Sequence, residues 1–233
     1  MVLLADLQAK VKTILAEVWD ERDGQEVPEP ADLQLGNDGS NIEATVLYAD
    51  IDGSTQLVDD YPATYAAEVY KSYMVCTARI IKAAGGVITA YDGDRIMAVF
   101  IGDAKNTTAA RTALCINWAV SNIINPALIT QYGADAYHID HVIGVDTSTL
   151  LAARIGVRID NDIVWVGRAA NYAAKLTAID TGHKIYITDD VFTKLNKSSK
   201  YGGAPEQLMW EPATWTQMNG IAVHRSNWVW SIA

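Results

Sequence analysis

The chain is poor in cysteine and phenylalanine and lacks an excess of basic charge. Two cysteines among 233 residues exclude a small disulfide-stapled domain, and we interpret Cys76 and Cys115 as buried free thiols in helices. A formal charge of −10 argues against broad nucleic-acid binding, which needs a basic surface. No apolar run approaches the length of a membrane span, and the first residues lack a signal-peptide layout. We therefore expect a cytoplasmic protein with no membrane partner.

The hydrophobic content predicts one large domain with a short N-terminal addition. Half of the residues are hydrophobic, which suffices for one substantial core. Residues 1 to about 22 carry apolar side chains at helical spacing, typical of a face that packs on the parent domain or on a partner subunit. Residues 23–40 are rich in proline and glycine and indicate a linker. We expect a helix and linker in residues 1–40 and one domain in residues 41–233.

The remaining pattern predicts strand, helix, hairpin, helix and strand in chain order, the βαββαβ order of ferredoxin-like α+β sheets. The first long helix is expected to be capped by Asp60 and to begin at Pro62, and the second to end before Pro126. The tryptophan-rich residues 201–233 indicate closing strands. The predicted elements are strands at about 44–51, 87–91, 95–101, 138–145, 150–157, 163–166 and 184–188, and helices at about 60–85, 104–124, 169–179 and 189–195.

Two aspartates stand in matching contexts 44 residues apart. Asp50 lies in VLYADIDGST, residues 46–55, where an apolar run ends in a carboxylate and a glycine turn. Asp94 lies in YDGDRIMAVF, residues 91–100, where the DG pair favours a type I′ hairpin. A strand end beside a hairpin can bring two carboxylates together, and Mg²⁺ usually binds one or two carboxylates plus substrate phosphates. The pair therefore indicates metal-dependent nucleotide chemistry.

A third segment, residues 166–176, reads VGRAANYAAKL. With these three segments in this order, the chain resembles the class III nucleotidyl cyclases, whose motifs read FADIxGFT, GDGFLAVF and IGDxVNxAARL. The resemblance spans about residues 44–195. It implies the ferredoxin-like core of the class III cyclase type, with an N-terminal helix and C-terminal strands. It also implies a homodimer whose active sites are shared between subunits.

The resemblance implies two divalent cations, Mn²⁺ or Mg²⁺, at each site. Asp50 and Asp94 would bind them, with the backbone carbonyl of Ile51 as a further ligand. One ion would lower the pKa of the ribose 3′-hydroxyl, and the other would hold the triphosphate and the leaving pyrophosphate. The alternatives are a turn-capping carboxylate for Asp50 and an ordinary hairpin residue for Asp94.

The residues around Asp50 are expected to contact the substrate. Gly53 lets the backbone approach closely, and the amides of Ser54 and Thr55 can form an anion-binding nest for phosphates. The alternative is an ordinary turn between a strand and a helix. Tyr48 shares the sheet face of Asp50, and it either contacts the ribose or base or packs in the core.

Asn171 and Lys175 share a helix face because they are four residues apart. The resemblance assigns to Asn171 the orientation of the ribose and to Lys175 the transition-state role of the family's arginine. Lysine keeps the charge but lacks the bidentate fork of arginine. Arg168 lies on the same stripe, and we hypothesise that it supplies part of the missing guanidinium function. A surface arginine at the start of the helix is the alternative.

Ala90 and Val164 occupy the positions where purine cyclases of this family carry polar base-reading residues. Two apolar side chains cannot read adenine or guanine through hydrogen bonds. This departure resembles the bacterial Pycsar pyrimidine cyclases, which make cyclic UMP or cyclic CMP as antiphage signals. It implies UTP, or alternatively CTP, as the substrate, and a separate effector that senses the product. The alternatives are an adenylate or guanylate cyclase, or an inactive regulatory module. The lysine at position 175 slightly favours the inactive module, but the retained aspartates, glycine turn and Asn171 argue more strongly for activity.

Overall fold

A computed structural model describes residues 2–157, 159, 161–179 and 181–232. The helices of these residues are α1 Val2–Ala16, α2 Ser54–Asp60, α3 Ala63–Ala83, α4 Lys105–Ala119, α5 Asn125–Tyr132, α6 Arg168–Leu176, α7 Asp189–Thr193 and α8 Lys197–Lys200. The strands are β1 Asp20–Asp23, β2 Asp38–Asp52, β3 Val87–Asp92, β4 Arg95–Phe100, β5 Asp140–Gly156, β6 Asn161–Val166, β7 Ile185–Thr188, β8 Tyr201–Gly202, β9 Gln207–Leu208, β10 Glu211–Trp215 and β11 Ile221–Ser226.

The described strands form one large mixed sheet and a small separate hairpin, β8–β9. The large sheet has the order β10-β11-β7-β5-β2-β4-β3, with β1 paired to β2 and β6 paired to β5. Its centre, β5-β2-β4-β3, is built by a β2–α3–β3 unit interleaved with a β4–α4–α5–β5 unit. The α+β class and the ferredoxin-like βαββαβ order predicted from the sequence are therefore confirmed.

The sheet has two unequal faces. Leu47 and Ile51 of β2 point to the face that α3 and α4 cover, where the larger core lies. We call this the helix-covered face. Val46 and Tyr48 point to the opposite face, where α6 packs on β5 and β2 and leaves Tyr48 half-buried. We call this the open face, and it carries the candidate site.

The N-terminal helix α1 is attached to the sheet through its end. The side-chain amide of Asn37 donates to the carbonyls of Ile14 (2.9 Å) and Glu17 (2.8 Å), and β1 pairs in parallel with the beginning of β2. None of the described residues of α1 is buried, so the parent domain does not cover its apolar side chains. The division of the chain at residue 40 stays a prediction, and this position falls inside β2.

Two predicted helix boundaries near prolines are wrong. Asp60 ends the separate helix α2 and does not cap α3, whose N-cap is Pro62. The second helix does not end before Pro126, because a π-helical turn, Val120–Ile124, joins α4 to α5. Pro126 then falls in the first turn of α5, where its missing N–H removes no helical hydrogen bond. The π-helical turn thus lets the helix pass a proline that would otherwise end it.

The length of the joined helix α4–α5 tests the expectation that no apolar stretch is long enough to span a membrane. By length and composition, the stretch Lys105–Tyr132 could cross a membrane, and 56% of its apolar window is buried inside the protein. The sequence expectation that no such stretch exists was therefore too strong. Its side chains contribute to the helix-covered core, which is the position of a core helix in a soluble domain.

Strand β5 is continuous where the sequence predicted two strands. It pairs with β2 without interruption from Gly39–Ala153 to Asp52–Asp140. Polar residues occupy its middle, at 146–149; Asp146 and Thr147 are buried, and the hydroxyl of Thr147 donates to the carbonyl of Ala44 at 3.0 Å. A polar run can therefore stay in a central strand when its groups find partners there.

The closing strands predicted in the tail are confirmed, since the β10–β11 hairpin extends the sheet from β7. Trp210 and Trp215 are buried, and Trp228 packs against the helix-covered core. Cys76 and Cys115 are free, as predicted, but they are half-buried. Burial raises the pKa of both thiols, which disfavours the reactive thiolate form.

Candidate active site

Strand β2 and the β3–β4 hairpin bring Asp50 and Asp94 to one edge of the open face. The β2–β4 ladder ends at the Asp50–Arg95 pair, directly after the hairpin turn. Burial is the largest cause that raises the pKa of Asp50, and the charge of Asp94 adds to the rise. The structure therefore places the two predicted metal ligands close together, with the side chain of Asp50 only 15% exposed.

The hairpin turn itself differs from the prediction by one residue. Asp92 pairs with Arg95, so the two turn residues are Gly93 and Asp94. Gly93 has a φ of 62°, a left-handed conformation that favours glycine. Placing Asp94 in the turn orients its carboxylate at the tip of the hairpin, beside the end of β2.

Arg95 is a site residue that the sequence analysis missed. Its Nε and Nη2 donate to the same oxygen of Asp50, at 3.0 and 2.6 Å. This hydrogen bonding is the largest cause that raises the pKa of Arg95. The sequence signal for Arg95 is its position in the second motif: the family motif GDGFLAVF has glycine directly after the aspartate, where this chain has Arg95.

Gly53 reverses the chain immediately after the aspartate strand. It is the N-cap of α2 and has a φ of 70°, which a residue with a side chain rarely adopts. Ser54 and Thr55 then open α2. Their contact with phosphates stays a prediction, and the tight turn keeps their amides near the carboxylate of Asp50.

Tyr48 and Ala90 lie on either side of Met97 on the open face. Tyr48 of β2 pairs with Met97 of β4, and Ala90 of β3 pairs with the same methionine from the other side. Both side chains are partly buried against the open-face core. The predicted base-contacting residues Tyr48 and Ala90 therefore adjoin the aspartates.

Val164 lies elsewhere in the same chain. It pairs with Ala153 near one end of β5, whereas Asp50 pairs with Val142 near the other end. At about 3.3 Å per strand residue, these positions are separated by roughly 35 Å. Val164 and Ala90 therefore lie far apart in the strand register of one chain, and their contact with the same base stays a prediction.

Asn171 and Lys175 are exposed on α6, and their hydrogen bonds within the described chain go to residues other than the aspartates. The amide of Asn171 donates to the carbonyl of Gly167 at 3.1 Å, and Nζ of Lys175 lies 3.9 Å from the sulfur of Met218. Among the described residues, the contact from this part of the chain to Asp50 comes from the hydroxyl of Thr177, at 3.4 Å. Within one chain, the end of α6 thus contacts Asp50, while Asn171 and Lys175 themselves do not bond to the predicted metal ligands.

The guanidinium of Arg168 is hydrogen-bonded to strand β5 and helix α7. Its Nε lies 3.1 Å from a carboxylate oxygen of Asp146, and its Nη2 donates to the carbonyl of Thr147 at 2.7 Å and to Asp190. A catalytic role for Arg168 stays a prediction, and these contacts disfavour it because they occupy the guanidinium.

The donor set at the edge of the open face fits a hard divalent cation. Asp50 and Asp94 supply carboxylate oxygens, and Ile51 pairs with β5 but has no partner in β4. No cluster of three histidine, cysteine, aspartate or glutamate side chains occurs in the part of the chain that the structure describes. A backbone carbonyl and substrate phosphates would therefore complete the coordination. The guanidinium of Arg95 on Asp50 shows that this carboxylate attracts a positive charge.

Comparison with known proteins places this arrangement in a family. Residues 39–209 match the model of the adenylate and guanylate cyclase catalytic domain. A uridylate cyclase of Xanthomonas perforans is 50% identical over 215 residues, which are 92% of each chain. A uridylate cyclase of Burkholderia cepacia is 47% identical over 234 residues and covers all of both chains.

Solved structures show the same fold at low sequence identity. A bacterial light-regulated adenylyl cyclase superposes with a TM-score of 0.70 at 22% identity, covering 85% of this chain and 54% of that protein. The guanylyl cyclase Cya2 gives 0.69 at 17% identity, with 82% and 95% covered. A dimeric guanylyl cyclase domain from the fungus Blastocladiella emersonii gives 0.62 at 16% identity, with 80% and 97% covered. The chain belongs to the class III adenylate and guanylate cyclase family and is a nucleotidyl cyclase, a phosphorus–oxygen lyase.

Proposed function

We propose that this enzyme converts UTP to 3′,5′-cyclic UMP and pyrophosphate. The observation that carries the proposal is the apolar Ala90 beside Tyr48 on the open face, next to the aspartates. A site without polar groups at this position cannot select a purine by hydrogen bonds. The relatives at 50% and 47% identity that bear the name uridylate cyclase support UTP over CTP.

Different residues of this chain would bind the metal ions and the triphosphate. Asp50, Asp94 and the Ile51 carbonyl would hold two divalent cations, Mn²⁺ or Mg²⁺. Bound there, the ions would lower the pKa of the ribose 3′-hydroxyl and offset the charge of the leaving pyrophosphate. Gly53 and the amides that follow would bind the triphosphate.

A homodimer would complete each site. Asn171 and Lys175 are exposed and do not bond to the chain's own aspartates, and Val164 is far from Ala90 in the strand register. A partner subunit that faces the open face could supply all three residues. Asn171 would then orient the ribose and Lys175 would offset charge on the α-phosphate.

The shared site can be tested by mixing subunits. An Asp50→Ala chain and an Asn171→Ala chain are each expected to be inactive, and a heterodimer of the two should regain one intact site. The measurement is cyclic nucleotide formation by differently tagged, co-purified heterodimers. Absence of activity in verified heterodimers would contradict the shared site.

The product would act as a messenger in the cytoplasm. The resemblance to Pycsar cyclases supports a role in antiphage defence, in which a separate effector senses the cyclic nucleotide. Infection of cells carrying this chain with and without Asp50→Asn tests that role, with phage yield and cyclic UMP as readouts. Equal phage yield in both strains, despite cyclic UMP in one, would contradict it.

The substrate is tested directly with ATP, GTP, CTP and UTP, each incubated separately with the purified protein and Mn²⁺. Mass spectrometry should find cyclic UMP, and Asp50→Asn should abolish it. Cyclic CMP would select the other pyrimidine. Cyclic AMP or cyclic GMP would overturn the interpretation of Ala90, and no product from an intact dimer would favour a regulatory module.

A further inference from the structure

A carboxylate outside the predicted site is buried under the beginning of α6. Asp146 lies in the middle of β5 and is 0% exposed. Its oxygens accept from the hydroxyl of Thr188 at 2.5 Å and from Nε and Nη2 of Arg168 at 3.1 and 3.4 Å. Burial is the largest cause that raises the pKa of Asp146. Its charged form therefore depends on these donors.

The partner of this carboxylate is the first residue of α6. Arg168 also donates to the carbonyl of Thr147 in β5 and to Asp190 in α7, and its guanidinium lies 5.6 Å from the ring centre of Tyr172. The guanidinium therefore joins the start of α6 to two neighbouring elements, and the planar fork of arginine suits such multiple bonding.

The rest of α6 leaves little room for a shift. The helix has nine residues, and Ala169 and Ala173 are fully buried against the sheet. A Cβ added to Gly144 of β5 would lie 2.1 Å from the carbonyl oxygen of Ala173, so strand and helix are in close contact. The short helix therefore behaves as one rigid unit, and a small tilt at its first residue would be carried to Asn171 and Lys175.

We propose that Asp146 and Arg168 are positioning residues, which fix the start of α6 so that Asn171 and Lys175 reach the substrate in the productive orientation. This inference rests on the proposed role of Asn171 and Lys175 in turnover. It gives Arg168 a function without substrate contact, and it adds Asp146, which lies outside the three motifs.

The test is a double-mutant cycle with Asp146→Asn, Arg168→Met and the double variant, assayed with the nucleoside triphosphate that the wild type cyclises fastest. Since a small misplacement of catalytic groups can cost about a hundredfold in rate, we expect each single variant to lose kcat by roughly that factor. KM should stay within about twofold, because the substrate-binding groups remain. The double variant should be no worse than the singles, and Arg168→Lys should recover part of the loss.

A second ion pair provides the matched control. Arg22 and Asp38 are bonded at the opposite end of β2, and Asp38 is buried like Asp146. Arg22→Met and Asp38→Asn should lower the melting temperature but leave kcat per folded molecule unchanged. Circular dichroism and size-exclusion chromatography give the folded fraction of every variant. If Arg168→Met fails to fold, Arg168→Lys replaces it in the cycle.

Direct contact between Arg168 and the substrate would overturn the inference. In that case Arg168→Met would lose the same factor in the Asp146→Asn background as in the wild type, and KM would rise. Unchanged kcat in folded Asp146→Asn, with Asn171→Ala and Lys175→Ala inactive, would overturn the positioning role alone. Full turnover in Asn171→Ala and Lys175→Ala would instead overturn the proposed role of α6.

Discussion

The two faces of the central sheet are built from alternate residues of the same strands, yet the helix-covered face carries the larger core and the open face carries the candidate site. On β2, Leu47 and Ile51 are 0% and 3% exposed on the helix-covered face. Tyr48 and Asp50 on the open face are partly exposed, and Asp50 carries an arginine on its carboxylate. Side chains that alternate along a strand thus separate stability from chemistry. Substitutions on one face should change folding, and those on the other should change turnover.

The largest effect is expected at Asp50. Asp50→Asn removes a charged metal ligand worth several kcal/mol in the transition state, so turnover should fall by roughly a thousandfold or more. The unfolding free energy should not fall, because the buried charge is removed from a site where burial already raises the pKa of Asp50. Product formation and urea unfolding are measured on the same samples. Asp52→Asn, an exposed neighbour on the same strand, is the control and should lose far less activity.

The opposite result is expected on the helix-covered face. Phe100 of β4 is 2% exposed in the core, so Phe100→Ala should lower the unfolding free energy by about 3–5 kcal/mol. Activity of the remaining folded protein should be close to normal. Tyr48→Phe on the open face is the matched control, with a loss under about 1 kcal/mol. A folded Phe100→Ala protein without activity would show that the faces are not independent.

His141 should make the helix-covered face sensitive to acid. It is 1% exposed, and burial lowers its pKa from 6.5 to about 4. Below pH 6.5 the His141 imidazole therefore binds a proton in the unfolded chain but not in the folded chain, so the unfolding free energy falls as the pH drops. Between pH 7 and 5 the loss should be roughly 2 kcal/mol from this group. Urea unfolding at both pH values measures it, and His141→Leu should flatten the dependence; an equally steep slope in that variant would assign it to other groups.

The smallest effect is expected at Arg95, which neutralises Asp50 on the open face. Arg95→Met removes a guanidinium that competes with the cation for the carboxylate of Asp50 and also repels the cation. Mn²⁺ should therefore bind about two- to fivefold more tightly in the absence of nucleotide, since a partly exposed ion pair contributes up to about 1 kcal/mol. Calorimetric titration with Mn²⁺ measures this, with Arg95→Lys as the charge-conserving control. Weaker binding in Arg95→Met would show that the arginine helps to form the site.

Much of the fold could be predicted from local patterns. The hairpin followed from a glycine between apolar stretches, and the order of helices and strands followed from hydrophobic period. The failures occurred where tertiary contacts supply partners that a sequence does not reveal. Thr147 stays in a strand because a backbone carbonyl accepts its hydroxyl, and Pro126 stays in a helix because a π-helical turn precedes it.

The candidate site divides in the same way. The resemblance of the three motifs to the class III cyclases indicated Asp50, Asp94 and Asn171. The partners of these residues were not visible. Arg95 on Asp50 and Asp146 under Arg168 depend on pairing across strands and between a strand and a helix.

The sequence by itself determined the family and the class of reaction, because it carries in order the three motifs by which the chain resembles the class III cyclases. Only the tertiary structure decided which charges neutralise one another and which site residues can meet within one chain. Arg168 is engaged by Asp146, and Val164 lies far from Ala90. Such pairings depend on strand register and on helix docking, which arise from packing across the whole sheet.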